Sequence, residues 1–183
     1  MIIYDEKCKL GIIWDLHFYS ENKSFEYGNI NFIIEDELFP KKFADNFTLR
    51  TVFSNLKSSF KTQFCPGGKT GYELGNREVD FIKLDYGEEP DIFVIETTEL
   101  GNKFGKECHA NCLHLRIGYC GNEERLFYSE DFGKTYRETR FPKGTVERIV
   151  AQLPSAESLR RGTFSKTMVK RFSRPPRKNT LKS

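Results

Sequence analysis

The sequence predicts an α+β fold, in which an antiparallel, meandering sheet packs against one main helix and a short second helix closes the structure. Three observations carry this prediction. Several short runs alternate apolar and polar side chains with the period of two that belongs to strands. One segment near residue 50 switches to helical spacing. The composition is aromatic-rich, with 17 Phe, 8 Tyr and 1 Trp among 183 residues, which suits pleated surfaces better than a helical bundle.

Leu10, Ile12, Trp14, Leu16 and Phe18 alternate with Gly11, Ile13, Asp15, His17 and Tyr19, so a strand is expected with the first set on its buried face. Ile30, Phe32 and Ile34 repeat the period, and Glu35-Asp36-Glu37 reads as a tight acidic turn in a hairpin that stops at Pro40. Leu49, Val52, Phe53, Leu56 and Phe60 fall at helical spacing, placing the main helix over 47–62. Asn46 or Thr48 is available as its cap, and Pro66-Gly67-Gly68 ends the segment. "VDFIKLDY" and "DIFVIETTEL" read as strands separated by the turn "GEEPD", which carries Glu88, Glu89 and Asp91. "CLHLRIGYC" alternates Leu113, Leu115, Ile117 and Tyr119 against Cys112, His114, Arg116 and Gly118. Gly121-Asn122 turns that strand into "ERLFYS", with Glu123 and Glu124 as a third acidic turn. Finally "GTVERIVAQLP" places Val146, Ile149, Val150 and Leu153 on one helical face, with Thr145 as cap and Pro154 as stop.

Asp131-Phe132-Gly133 has the letters of a kinase metal-binding signature, but the other parts of a phosphoryl-transfer site are missing upstream. The wider pattern, Ser129-x-Asp131-x-Gly133-x-Thr135-Tyr136, is that of an Asp-box hairpin. There Asp holds the turn backbone, Gly takes a positive φ and the aromatic packs beneath. These residues are therefore expected to be structural.

The net charge of +3 hides an asymmetry. Residues 160–183 hold nine Lys or Arg and no acid, which leaves 20 basic against 26 acidic residues in 1–159, a formal charge of −6. The chain thus divides into a single acidic domain over 1–154 and a basic, flexible tail over 155–183. Five cysteines, odd in number and irregularly spaced, together with the lack of a signal-like or membrane-spanning apolar run, point to the cytoplasm.

Reactive constellations are weak. "CPGGKTG" ends like a phosphate loop, but Gln63 stands where the first glycine is needed. Cys108, His109, Cys112, His114 and Cys120 offer thiolate and imidazole for zinc without a second well-formed ligand pair, so no metal is expected. His17, His109 and His114 lack any nucleophile-and-base setting, and no catalytic residue or cofactor is predicted.

Laid end to end, "GNINFIIEDELFP", "FTLRTVFSNLKSSF" and "RIGYCGNEERLFYSEDFGKTYRETRFPKGTVERIVAQLP" resemble the immunity protein 42 family of bacterial polymorphic toxin systems, over most of residues 1–154. The resemblance implies a cytoplasmic antitoxin that needs no cofactor, binds the toxin domain of a partner protein and blocks its active site or substrate access. A nuclease with a basic groove would suit the acidic body. Glu35, Asp36, Glu37, Glu88, Glu89, Asp91, Glu123 and Glu124 are the candidate contacts, because turns project carboxylates from a sheet. Two other classes compete. A nucleic-acid-binding module would use the basic residues of 160–183, with Phe164 and Phe172 to stack, and a small hydrolase would require acids converging in a pocket.

Overall fold

The computed structural model describes residues 1–41, 47–61, 73–85, 88–97, 113–131 and 133–162. Its strands form two antiparallel sheets where a single one was expected. In the first sheet β1 (Ile2–Asp5), β2 (Leu10–Tyr19), β3 (Glu26–Ile34) and β4 (Glu37–Phe39) follow in chain order, and β5 (Phe47–Thr48) also pairs with β3. The second runs β6 (Ile92–Ile95), β7 (His114–Cys120), β8 (Glu123–Ser129), β9 (Arg137–Pro142). Every pairing joins sequence neighbours except that of β5 with β3, so the meander holds within each sheet.

One apolar core joins the two sheets. Ile12, Trp14, Ile30 and Phe32 of the first sheet and Leu115, Ile117, Leu126 and Tyr128 of the second pack with α1 (Leu49–Lys61) and α3 (Thr145–Ala151). The predicted face of α1, Leu49, Val52, Phe53 and Leu56, is buried, and each such side chain removed from water contributes about 1.5–3 kcal/mol. Phe53 meets Trp14 edge-on at 5.2 Å, and Phe39 meets Tyr128 across the two sheets at 5.0 Å. Gly28 lets α1 approach, since a Cβ there would stand 1.9 Å from the Asp15 carbonyl oxygen and 2.8 Å from a Leu49 methyl.

The second sheet is covered on its other face too. Leu74, Val79, Leu84, Ile92, Phe127 and Tyr136 form a smaller cluster beneath the segment 73–85. This double cover explains why β8 is buried from Glu124 to Ser129, a pattern that alternation alone does not anticipate. Arg125 fastens the covering segment. Its guanidinium donates to the carbonyls of Gly75 and Arg77 at 2.9 and 2.8 Å and forms a bidentate pair with Glu138 at 2.7 and 2.8 Å.

Four expectations need correction. The described part of "VDFIKLDY", residues 79–85, is no strand: Phe81–Asp85 is a short helix, α2, because Asp80 Oδ1 accepts the amides of Ile82 and Lys83 and starts a turn. Thr145 does not cap α3, since its hydroxyl donates to the Pro142 carbonyl. Phe18 does not share the inner face of Leu16, because a register shift falls between them. Nor does order end at Pro154. Ser155 Oγ accepts the Ser158 amide and starts α4 (Ala156–Arg161), Gly162 ends it at φ 63°, and Leu159 enters the main core.

Candidate partner-binding surface

The Asp131 carboxylate is fully engaged by its own turn. Oδ1 accepts the Ser129 hydroxyl at 2.7 Å and the Thr135 amide at 2.9 Å, while Oδ2 accepts the Thr135 hydroxyl at 2.5 Å. The Gly133 amide donates to Ser129 Oγ, with Gly133 at φ 76°. Tyr136 is buried beneath, 5.8 Å from Phe81. Burial pushes the Asp131 carboxyl up, but the hydrogen bonds from Thr135 and Ser129 outweigh it and bring the group down to about 2. Both oxygens are thus engaged within the turn, and a carboxyl lowered in this way is a weak base.

The acidic segments differ from one another. Glu35 and Asp36 form the β3–β4 turn, both with positive φ, and Glu37 begins β4. All three are exposed, and all three have partners. Thr139 donates to Glu35, Lys9 pairs with Asp36 at 2.8 Å, and Arg137 lies 3.4 Å from Glu37. Tyr4 also donates to Asp36, a bond that raises the Tyr4 phenol to about 12, with burial and the Asp36 charge adding to it. Glu89 is buried against Arg77 at 2.6 Å, which also reaches the half-buried Asp91, whereas Glu88 is exposed with no side-chain partner among the described residues. Glu123 is exposed, 3.5 Å from Arg140. Glu35, Glu37 and Glu123 each have a partner on the edge strand β9, where Arg137 and Arg140 offset the charge of the last two.

Glu124 is a different matter. It is only 1% exposed, and its two oxygens accept the amides of Gly144 and Val146, each at 2.7 Å. The cap of α3 therefore comes from the neighbouring hairpin. Burial raises the Glu124 pKa against the opposing pull of these amides. This side chain supports the fold from inside and is not available on the surface.

Two surface features escaped sequence reasoning. Near β1 and the β9–α3 junction lies a cleft of about 600 Å³ lined by Lys7, Cys8, Arg140, Lys143 and Arg148, among others. Arg148 is held by Asp5 at 2.6 Å, and burial pushes the Cys8 thiol up, away from thiolate chemistry. The other is the outer face of the first sheet. Ile13, Tyr27 and Ile33 belong to neither core cluster, and Phe18 and Phe25 are 47% and 43% exposed. Their rings meet Tyr27 at 5.1 and 6.3 Å, and the Arg50 guanidinium lies over Phe25 at 5.5 Å. The one sequence signal was a pair of Phe flanking a polar loop, Ser20 to Ser24.

Cys108, His109, Cys112, the segment "CPGGKTG" and the basic residues beyond Gly162 lie outside the described residues. Among those described, no group of three His, Cys, Asp or Glu side chains could hold a metal ion, and no helix is long and apolar enough to cross a membrane. The family model described as Immunity protein 42 matches residues 1–156. Among solved structures, CdiI from Burkholderia dolosa AUO158 is similar at 13% identity, covering 82% of this chain and 96% of that one, with a TM-score of 0.46. No curated protein matches the chain.

Proposed function

The chain belongs to the immunity protein 42 family and is an antitoxin of that kind, and from this membership we propose how it protects the cell that makes it. It acts in the cytoplasm as a stoichiometric inhibitor, binding a cognate toxin domain and blocking its active site or substrate access without catalysis of its own. The observation that carries this reading is the extent of the family match, which spans the two sheets and both larger helices. The formal charge of −6 over 1–159 favours a toxin with a basic groove, such as a nuclease. Exposed acids at Glu35, Asp36, Glu37, Glu88 and Glu123, with Asp91 half-buried, serve in this reading as long-range steering charges. Glu89, buried against Arg77, and Glu124, buried under the start of α3, have structural partners instead.

Co-expression with the toxin domain encoded beside this chain tests the proposal. Growth is expected to be restored, and the purified pair is expected to form a 1:1 complex in which the toxin's activity is lost. A toxin domain that kills equally well with and without this chain, and that does not bind it, would sink the reading.

A further inference from the structure

We propose that the outer face of the first sheet, at its Phe18–Phe25–Tyr27 end, is the docking site for the toxin domain, and that it seats a Lys or Arg side chain of that partner between the aromatic rings and Asp15. The inference rests on the antitoxin reading above and assigns the surface that reading leaves open.

The register of β2 and β3 builds the site. Leu16 pairs with Gly28, and after the shift Phe18 pairs with Tyr27. Residues directly opposite share a face, and consecutive residues such as Tyr27 and Gly28 point to opposite faces. The irregularity at His17 therefore turns Phe18 out of the core and onto the face of Tyr27. Without it, Phe18 would follow Leu16 inward, as its spacing suggests. A bulge that exposes an aromatic ring costs the fold its burial, which is the signature of a device kept for contact.

The exposed rings are already ordered. Phe18 and Phe25 both pack on Tyr27, and Arg50 is fixed over Phe25 by a bond from Nη2 to the Ser24 carbonyl at 2.5 Å. Aromatic residues and Arg dominate the energetic centres of interfaces, and rings held in place lose little entropy on binding.

The polar groups beside the rings specify the partner's chemistry. Asp15 is exposed and stands directly opposite Asn29, and the Asn29 side-chain oxygen is buried with no hydrogen-bond partner. Asp15 has no side-chain partner among the described residues. Glu26, next to Tyr27 in β3, points to the opposite, inner face, where it is 0% exposed with Arg50 Nε at 3.7 Å, and it takes no part in the seat. The Asp15 charge thus adjoins Phe18 and Tyr27 on the outer side of the sheet, and aromatic faces themselves attract cations. A partner's Lys or Arg would pair with the exposed Asp15 while stacking on the rings, whereas a carboxylate beside Asp15 would meet its like charge.

The test measures affinity of the full chain for the toxin domain encoded beside it, with melting curves to confirm folding. Phe18→Ala and Asp15→Lys are each expected to weaken binding at least tenfold, and Asp15→Glu to retain it. Ile82→Ser, on the exposed side of α2 away from this face, is expected to change binding less than twofold. Asp15→Lys alters an exposed side chain and keeps the test valid even if Phe18→Ala misfolds. Wild-type affinity in both Phe18→Ala and Asp15→Lys overturns the docking site while leaving the antitoxin reading intact. Equal binding by Asp15→Lys and Asp15→Glu overturns the cation seat. A change of oligomeric state in these variants with unchanged toxin binding would mean that the face joins two copies of this chain, and would also overturn the proposal. Failure of the wild type to bind overturns it together with the reading it rests on.

Discussion

At the scale of single residues, Asp131 shows how a turn residue can imitate a catalytic one. Its carboxyl sits near 2 because burial is outweighed by hydrogen bonds from Thr135 and Ser129 to the ionised form. A depressed carboxyl stabilises the fold at every pH above its unfolded value near 4, and that contribution disappears as the pH falls through about 2. Asp131→Asn is therefore expected to lower stability on the order of 1 kcal/mol at neutral pH, after allowance for solvent screening. The gap between variant and wild type should close between about pH 4 and pH 2 in denaturant titrations. A gap that stays constant across that range would contradict the role given to the ionised carboxyl. Gly133→Val is expected to cost more, because a β-branched residue resists φ 76°. Glu124 carries the opposite sign. Its raised pKa means that its ionisation removes stability as the pH climbs through the raised value. Even so, Glu124→Ala is expected to destabilise by about 1–3 kcal/mol, since it strands the Gly144 and Val146 amides beneath the hairpin. Equilibrium unfolding at neutral pH measures the loss.

At the scale of elements, the segment 73–85 is held to the second sheet less by its own helix than by Arg125. One guanidinium ties two carbonyls of that segment to Glu138 on β9, while Leu74, Val79 and Leu84 supply the apolar contact. Arg125→Met keeps much of the side-chain volume and removes the ties. It is expected to lower stability by about 3 kcal/mol, the usual result of breaking a buried charge pair on one side. Hydrogen exchange should accelerate first at the amides of Ile82 and Lys83, which Asp80 caps, and later or not at all in α1. Uniform acceleration across both sheets would instead mark Arg125 as part of the global core.

At the scale of the whole molecule, two sheets share one core through α1 and α3, and the charges on their rims are largely paired within the chain. The pairing ranks the acidic positions. Glu88 faces solvent without a side-chain partner among the described residues, whereas Glu37 and Glu123 already lie near Arg137 and Arg140. If long-range attraction steers a basic toxin domain, Glu88→Lys is expected to slow association several-fold at low salt and much less at high salt, because screening shortens the reach of the field. Reversal at Glu123 should do less, since Arg140 already offsets its charge. Stopped-flow association at two ionic strengths distinguishes these outcomes, and equal rates for all variants would remove steering from the mechanism.

What the sequence by itself determined was the local grammar. β2, β3, β7, the apolar stripe of α1 and the Asp131 turn are each legible within a window of some ten residues, because side-chain alternation, helical spacing and turn chemistry are properties of neighbours. Tertiary structure decided the rest. Glu123-Glu124 reads as one acidic pair, but only the arrival of Gly144, 20 residues on, turns Glu124 into a buried cap while Glu123 stays in water. The docking of α4 depends on Leu159 reaching a core built by strands far upstream, with Tyr19 donating to its carbonyl across 140 residues. Phe18 continues an unbroken alternation in the sequence, yet the pairing partner opposite it decides which face it takes. Each of these outcomes depends on contacts between distant parts of the chain, and no periodicity along the chain encodes which distant residue will arrive.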